Sequence, residues 1–191
     1  MKHIVKFEEV SMKDVPHVGG KNASLGEMIR TLKSKGVPVP SGFVVTADAY
    51  FYFLKETGLD AFIKKTLKGL DTKNLKELHR CGSVVRSAFM RTEFPENLKL
   101  EIGQGYRELE KRYGNNADVA VRSSATAEDL PGASFAGEQE SYLGIRGQAE
   151  VLRAVRATMA SLFTDRAISY RKDRGFDHMK VGLSAGVQKM V

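Results

Sequence analysis

The stretch that decides the fold is residues 119–143, which read VAVRSSATAEDLPGASFAGEQESYL. The apolar run 119–121 predicts a short buried strand, and Arg122 follows it directly. A turn signal and the small-residue loop 133–137 come next, before a second strand-like run at 140–145. The stretch therefore predicts two strands joined by a loop that contains glycine.

A strand that ends in a cation and faces such a loop suits a polyphosphate. The guanidinium of Arg122 offers rigid paired donors to phosphate oxygens, and glycines let backbone N–H groups approach an anion closely. The alternative is a surface hairpin in which Arg122 pairs with Glu128 or Asp129. The pattern by itself leaves both interpretations open.

A second candidate for phosphate binding is Lys21, which follows Gly19 and Gly20 at the start of a predicted helix that runs to about Lys35. A lysine in the first turn opposes the helix dipole, whereas an anionic ligand would be attracted to that helix end. A solvated lysine after a glycine turn is the alternative. The segment is not a Walker A loop, because that pattern needs glycine at position 15 and Ser or Thr at position 22.

The rest of the chain predicts an α+β fold. Strands are expected at 3–7, 41–45 and 181–191, and helices at 47–56, 60–67, 72–92, 95–113, 148–163 and 165–171. The final apolar strand predicts an unpaired sheet edge at residues 183–191 that could bind a partner, and we expect the chain to be a truncated protein or one product of a split gene.

The length and composition of the chain exclude several classes of protein. The chain has 191 residues, 42% of them hydrophobic, which is enough for one domain with a real core. The net charge is +7, but the basic residues are interspersed with acidic ones, so nucleic-acid binding is disfavoured. The single cysteine, Cys81, rules out an internal disulfide. No signal-peptide pattern or membrane-spanning run is seen, so we expect a cytoplasmic protein without membrane contact.

Several long motifs in the chain resemble one family, in the family's order. They are VGGKNASLGEM (18–28), VPVPSGFVVTADAY (37–50), AVRSSATAEDLPGASFAGEQESYL (120–143), ASLFTDRAISYR (160–171) and GLSAGVQKMV (182–191). The chain resembles the N-terminal part of the phosphoenolpyruvate synthase and pyruvate phosphate dikinase family, which also includes rifampin phosphotransferase. The motifs are most similar to those of phosphoenolpyruvate synthase (pyruvate, water dikinase).

This resemblance implies the first part of an ATP-grasp-type nucleotide-binding domain over residues 1–191, with a central phosphate-binding unit at 118–145. ATP and Mg²⁺ are the implied ligands. The residues implied to contact the ATP phosphates are Lys21, Arg122, the loop residues Ser134, Phe135, Ala136 and Gly137, and, more weakly, Gln139 and Ser141. For the metal, Glu128, Asp129, Glu138 and Glu140 are candidates by chemistry, or else solvent-facing charges.

The resemblance also implies parts that this sequence lacks. Family members carry a phosphohistidine domain and, in the synthase, a pyruvate-binding barrel, whereas the four histidines here lie outside the carrier motif. We therefore expect one lobe of an ATP site, in an enzyme that makes phosphoenolpyruvate, AMP and phosphate from ATP, pyruvate and water. The alternatives are a non-catalytic module that pairs with a partner chain and a lobe of a related phosphotransferase with another acceptor.

Overall fold

The structure is a computed structural model that describes residues 2–126 and 140–191. Within those residues, five strands form one antiparallel sheet in the order β1-β2-β5-β3-β4. The strands are β1 (Ile4–Lys6), β2 (Gly42–Val45), β3 (Val119–Ala125), β4 (Ser141–Ile145) and β5 (Leu183–Lys189). The α+β class predicted from the sequence is confirmed.

The last strand lies at the centre of this sheet, so the prediction of an unpaired edge at residues 183–191 is wrong. β5 pairs with β2 along one side and with β3 along the other. Its small residues Ser184, Ala185 and Gly186 are buried, because both faces of the strand are covered. Among the described strands, the edges are β1 and β4.

The helices agree closely with the hydrophobic periodicity. They are α1 (Val15–Ser34), α2 (Ala47–Thr57), α3 (Leu59–Leu67), α4 (Leu75–Arg91), α5 (Glu96–Tyr113), α6 (Gln148–Ala160) and α7 (Asp165–Asp173). The predicted cap at Thr46 is present, because its hydroxyl accepts a hydrogen bond from the N–H of Ala49 at 3.2 Å. No helix of the described part is long and apolar enough to span a bilayer.

The two faces of the sheet pack against different layers. Helices α2 to α7 cover the first face, on which Val121 and Val187 join a core that includes Phe53 and Phe89. α1 covers the second face, where Val44 belongs to a smaller apolar cluster. Because neighbouring residues of a strand point to opposite faces, the same strands supply both layers.

β3 is longer than the apolar run predicts. The strand continues through Ser123, Ser124 and Ala125, which pair with the start of β5. Arg122 therefore lies in the middle of β3. The sequence predicted it at the end of the strand, because it directly follows the apolar run. The small side chains of residues 123–125 permit the longer strand, because they fit between β5 and the start of α1, which packs on β3.

Candidate functional site

The N-terminal part of α1 is interrupted at Gly19, where φ is 71° and ψ is 161°. A Cβ atom at this position would lie 2.3 Å from Ser124 Oγ and 2.8 Å from the Ser124 backbone. Only glycine combines a positive φ with such a close approach. The regular helix restarts after Gly19, so Lys21 lies in its first turn, as predicted, and is exposed to solvent.

A buried polar network lies beneath this first turn. Asn22 Nδ2 donates to Ser184 Oγ at 2.9 Å, and the N–H of Asn22 points to Ser124 Oγ at 3.5 Å. The Ser184 hydroxyl in turn contacts the carbonyl oxygens of Val18 and Ser124, to one of which it donates its single proton. Asn22 is 4% exposed and the two serines are fully buried. The helix start is thus joined to β3 and β5 by hydrogen bonds.

Arg122 is the exception to burial in β3. Of the seven residues of this fully described strand, only Arg122 is exposed. It shares a face with Ser124, two positions on, and therefore lies on the side of the sheet that carries α1. No described residue gives its guanidinium a hydrogen bond or an ion pair. Among the described residues, the Arg122 side chain is therefore exposed on the face that carries α1.

Ser141 and Gly186 are the neighbours of Arg122 across the sheet. Arg122 pairs with Ser141 of β4 on one side and with Gly186 of β5 on the other. Paired residues point to the same face, so the Ser141 side chain lies beside that of Arg122. A Cβ atom on Gly186 would be 2.4 Å from Asn22 Oδ1, so the first turn of α1 sits directly over this row.

Together these contacts assemble one surface from segments far apart in the sequence. Lys21 is adjacent to Asn22 in the chain, and Asn22 lies over the cross-strand partner of Arg122. The start of a helix, an exposed lysine and an exposed arginine are therefore on one side of the sheet. Positive groups beside the N-terminal end of a helix suit a chain of phosphates.

The predicted loop residues Ser134, Phe135, Ala136, Gly137 and Gln139 lie outside the described residues, as do Glu128, Asp129 and Glu138. Of the carboxylates suggested for a metal, Glu140 is described, and it accepts a hydrogen bond from the Tyr142 hydroxyl. Burial, reinforced by this hydrogen bond, raises the pKa of Tyr142 above its ordinary value. The described residues contain no group of three or more His, Cys, Asp or Glu that could hold a metal ion.

Two cavities formed by the described residues lie away from these cations. One, of about 420 Å³, lies between β1 and α5, and the other, of about 570 Å³, lies beside the proline segment 37–40 and the end of β5. Neither is lined by Lys21 or Arg122. We place the candidate site on the α1 face, because cation chemistry and helix N–H groups define a phosphate site better than enclosure does.

The sequence predicts Lys21 and Arg122 as site residues, but the contacts of Asn22 and Ser184 were not predicted from it. One signal for Ser184 was available, since a buried strand of small residues often marks the close approach of another backbone. Asn22 carries no such signal, because its role depends on contacts with strands far away in the sequence.

Comparison with known proteins identifies the family. Residues 15–191 match the family model described as pyruvate phosphate dikinase, AMP/ATP-binding domain. Similar curated proteins include the phosphoenolpyruvate synthases of Aquifex aeolicus (54% identity over 98% of this chain), Helicobacter pylori (50% over 100%) and Escherichia coli (48% over 98%). The chain spans only 22–24% of the length of these relatives. Since the match covers nearly the whole chain, the protein belongs to the pyruvate phosphate dikinase AMP/ATP-binding domain family.

Proposed function

We propose that this chain is the ATP-binding lobe of a phosphoenolpyruvate synthase and that Lys21 and Arg122 hold the ATP phosphates. The whole enzyme would convert ATP, pyruvate and water to phosphoenolpyruvate, AMP and phosphate through a phosphohistidine on another domain. In this proposal residues 1–191 are part of an ATP-grasp-type domain, and 118–145 is its phosphate-binding unit. A cytoplasmic location remains a prediction from the sequence.

One observation carries the proposal: the start of α1 packs on β3 and β5 on the face from which Arg122 projects. The packing is close at Gly19 and at Gly186, and hydrogen bonds from Asn22 to Ser184 and Ser124 hold the helix start against the Arg122 row. Exposed cations that are held by a buried framework are suited to bind a ligand with small loss of conformational entropy. The family match supports ATP as that ligand.

The proposed role of Lys21 and Arg122 is to position the ATP phosphates and to neutralise their negative charge. The Arg122 guanidinium would bind two phosphate oxygens in a forked geometry, and the Lys21 ammonium would act as a point charge on the same polyphosphate. In phosphoryl transfer, fixed positive groups stabilise charge that spreads over the phosphate oxygens. Neither residue is required to donate or accept a proton. Ser141, beside Arg122, would add a single hydrogen bond.

Mg²⁺ would enter with the nucleotide. It prefers six oxygen ligands and usually keeps several waters, with one or two carboxylates and substrate phosphates completing its shell. The bound ion would neutralise charge on the phosphates.

The histidines support the assignment of the phosphohistidine to another domain. His3 contacts Glu101, His17 contacts Asp48 and His79 contacts Asp165, at 2.8–3.0 Å. His178 accepts a hydrogen bond from Arg171 Nε at 3.0 Å. Each ring is thus engaged in a contact within the fold.

The test is calorimetric titration of Mg-ATP into the chain and into Lys21→Ala and Arg122→Ala. Each substitution removes a charge-assisted contact and is expected to weaken binding about 10- to 100-fold. Inorganic tripolyphosphate should compete with ATP, whereas adenosine should not, because the proposed contacts are to phosphates.

Matched controls separate this site from general charge effects. Lys33→Ala removes a lysine from the other end of α1, and Arg153→Ala removes an exposed arginine of α6. Both lower the net charge by the same amount as the test variants, and both should bind Mg-ATP like the unmodified chain. Equal losses in controls and test variants, or absence of binding by the unmodified chain, would contradict a phosphate site in this lobe.

A further inference from the structure

We propose that Asn22 is a positioning residue that, through Ser184 and Ser124, holds Lys21 in register with the Arg122 row. This inference rests on the proposed function, since it concerns the geometry of the same phosphate site. Asn22 itself is buried and faces the sheet, so it acts on the ligand through its neighbour Lys21.

The contacts of Asn22 restrain it from two directions. Its Nδ2 donates to Ser184 Oγ at 2.9 Å, and its Oδ1 lies so close to Gly186 that a Cβ there would be 2.4 Å away. Gly186 is the cross-strand partner of Arg122, and Lys21 precedes Asn22 in the chain. The Asn22 side chain therefore links the helix turn that carries Lys21 to the strand residue that pairs with Arg122.

Apolar packing alone would not set this register. The first turn of α1 contacts Ser124, Ser184 and Gly186, which carry short side chains or none. A helix on such a surface gains little directional restraint from van der Waals contact. The first N–H groups of the helix also lack intrahelical partners. Directional hydrogen bonds from Asn22 to Ser184 and Ser124 supply the missing restraint.

Ser184 is the junction of this network. It receives the Asn22 hydrogen bond and contacts the carbonyl oxygens of Val18 and Ser124, which belong to α1 and β3. Its hydroxyl thereby joins three elements of the fold at a fully buried point. Loss of the hydroxyl would leave the Asn22 amide and a carbonyl group without partners where water has no access.

The experiment is a double-mutant cycle on Mg-ATP binding by the 191-residue chain. Asn22→Ala is expected to weaken binding about tenfold in the unmodified background, because the Lys21 ammonium loses its fixed position. In the Lys21→Ala background the same substitution should change affinity less than about twofold, since no ammonium remains to be positioned. An equal loss in both backgrounds would overturn the proposal and leave Asn22 a purely structural residue.

Ser184→Ala gives a second test with a milder change in volume. It should weaken binding in the same direction as Asn22→Ala and show the same coupling to Lys21. The matched control is Ser161→Ala, which removes another buried hydroxyl, one that donates to the Thr158 carbonyl in the helical layer away from the site. Ser161→Ala should lower stability but leave the affinity of the folded chain unchanged; loss of affinity equal to that of Ser184→Ala would contradict the positioning role.

Amide hydrogen exchange distinguishes a failure of this inference from a failure of the proposed function. In the free chain, Asn22→Ala should raise exchange about tenfold or more in the peptide covering 18–28, and leave α4 and α6 unchanged. Absence of Mg-ATP binding by the unmodified chain would refute the proposed function, and exchange would still decide whether Asn22 orders the helix start. Unchanged exchange at 18–28 would refute the inference whether or not ATP binds.

Discussion

Replacement of Gly19 by alanine tests the reasoning about the helix start most directly. Gly19 combines a φ of 71° with a built Cβ position 2.8 Å from the Ser124 backbone. A residue other than glycine at a φ of 71° and a ψ of 161° costs about 1–3 kcal/mol. The overlap adds about 1–3 kcal/mol, the usual cost of excess volume in a packed interior. We therefore expect Gly19→Ala to lower the free energy of unfolding by about 2–6 kcal/mol.

The substitution should also move the site. An ordinary contact begins at 3.4 Å, so the 2.8 Å approach must widen by about 0.6 Å before a methyl group fits. The shift falls on the turn that carries Lys21 and separates it from β3. Because placement errors of this order are costly in phosphate sites, Mg-ATP affinity is expected to fall about tenfold.

Gly36→Ala is the matched control. Gly36 follows the C-terminal end of the same helix with a φ of 75°, but nothing lies within 4 Å of its built Cβ. It therefore reports the backbone strain alone, about 1–2 kcal/mol, and should leave affinity unchanged. Urea unfolding and calorimetry measure both quantities. If Gly19→Ala proved no more destabilising than Gly36→Ala, the close packing of the helix start on β3 would be refuted.

Three further predictions concern pH, the core and the edge of the site. Burial, with a contribution from Arg171, lowers the pKa of His178 from 6.5 to about 4. Because the unfolded chain then binds a proton that the folded chain does not, stability should fall by about 1 kcal/mol between pH 6.5 and pH 4, after allowance for partial exposure. His178→Gln should remove this part of the slope in urea titrations, and parallel curves would contradict it. Phe89→Ala should cost about 3–5 kcal/mol of stability without loss of affinity in the folded chain, because Phe89 is fully buried in the helical layer. Ser141→Ala should weaken Mg-ATP binding no more than about threefold, since one neutral hydrogen bond beside Arg122 is lost; a loss as large as that of Arg122→Ala would show that the serine has a larger role.

The two cations of the candidate site could be predicted from local sequence. Lys21 follows a glycine pair at a helix start, and Arg122 interrupts an apolar run, so both were identified by residue type and spacing. That Lys21 and Arg122 lie on one side of the sheet could not be predicted from the sequence, because it depends on how β3 and β5 pair and on which face α1 covers. Asn22 and Ser184 were missed for the same reason. Their hydrogen bond joins positions at opposite ends of the chain.

For the described residues, the sequence by itself determined the types of the helices and strands and, apart from the start of α1 and the end of β3, their approximate boundaries. Periodicity and caps such as Thr46 depend on residues within about one helical turn, so they can be read locally. Only the tertiary structure decided that β5 occupies the centre of the sheet and that Arg122 lies within β3 and not at its end. The physical reason is that strand order and close packing are decided by contacts between distant segments, where small residues such as Gly19 permit an approach that no local pattern specifies.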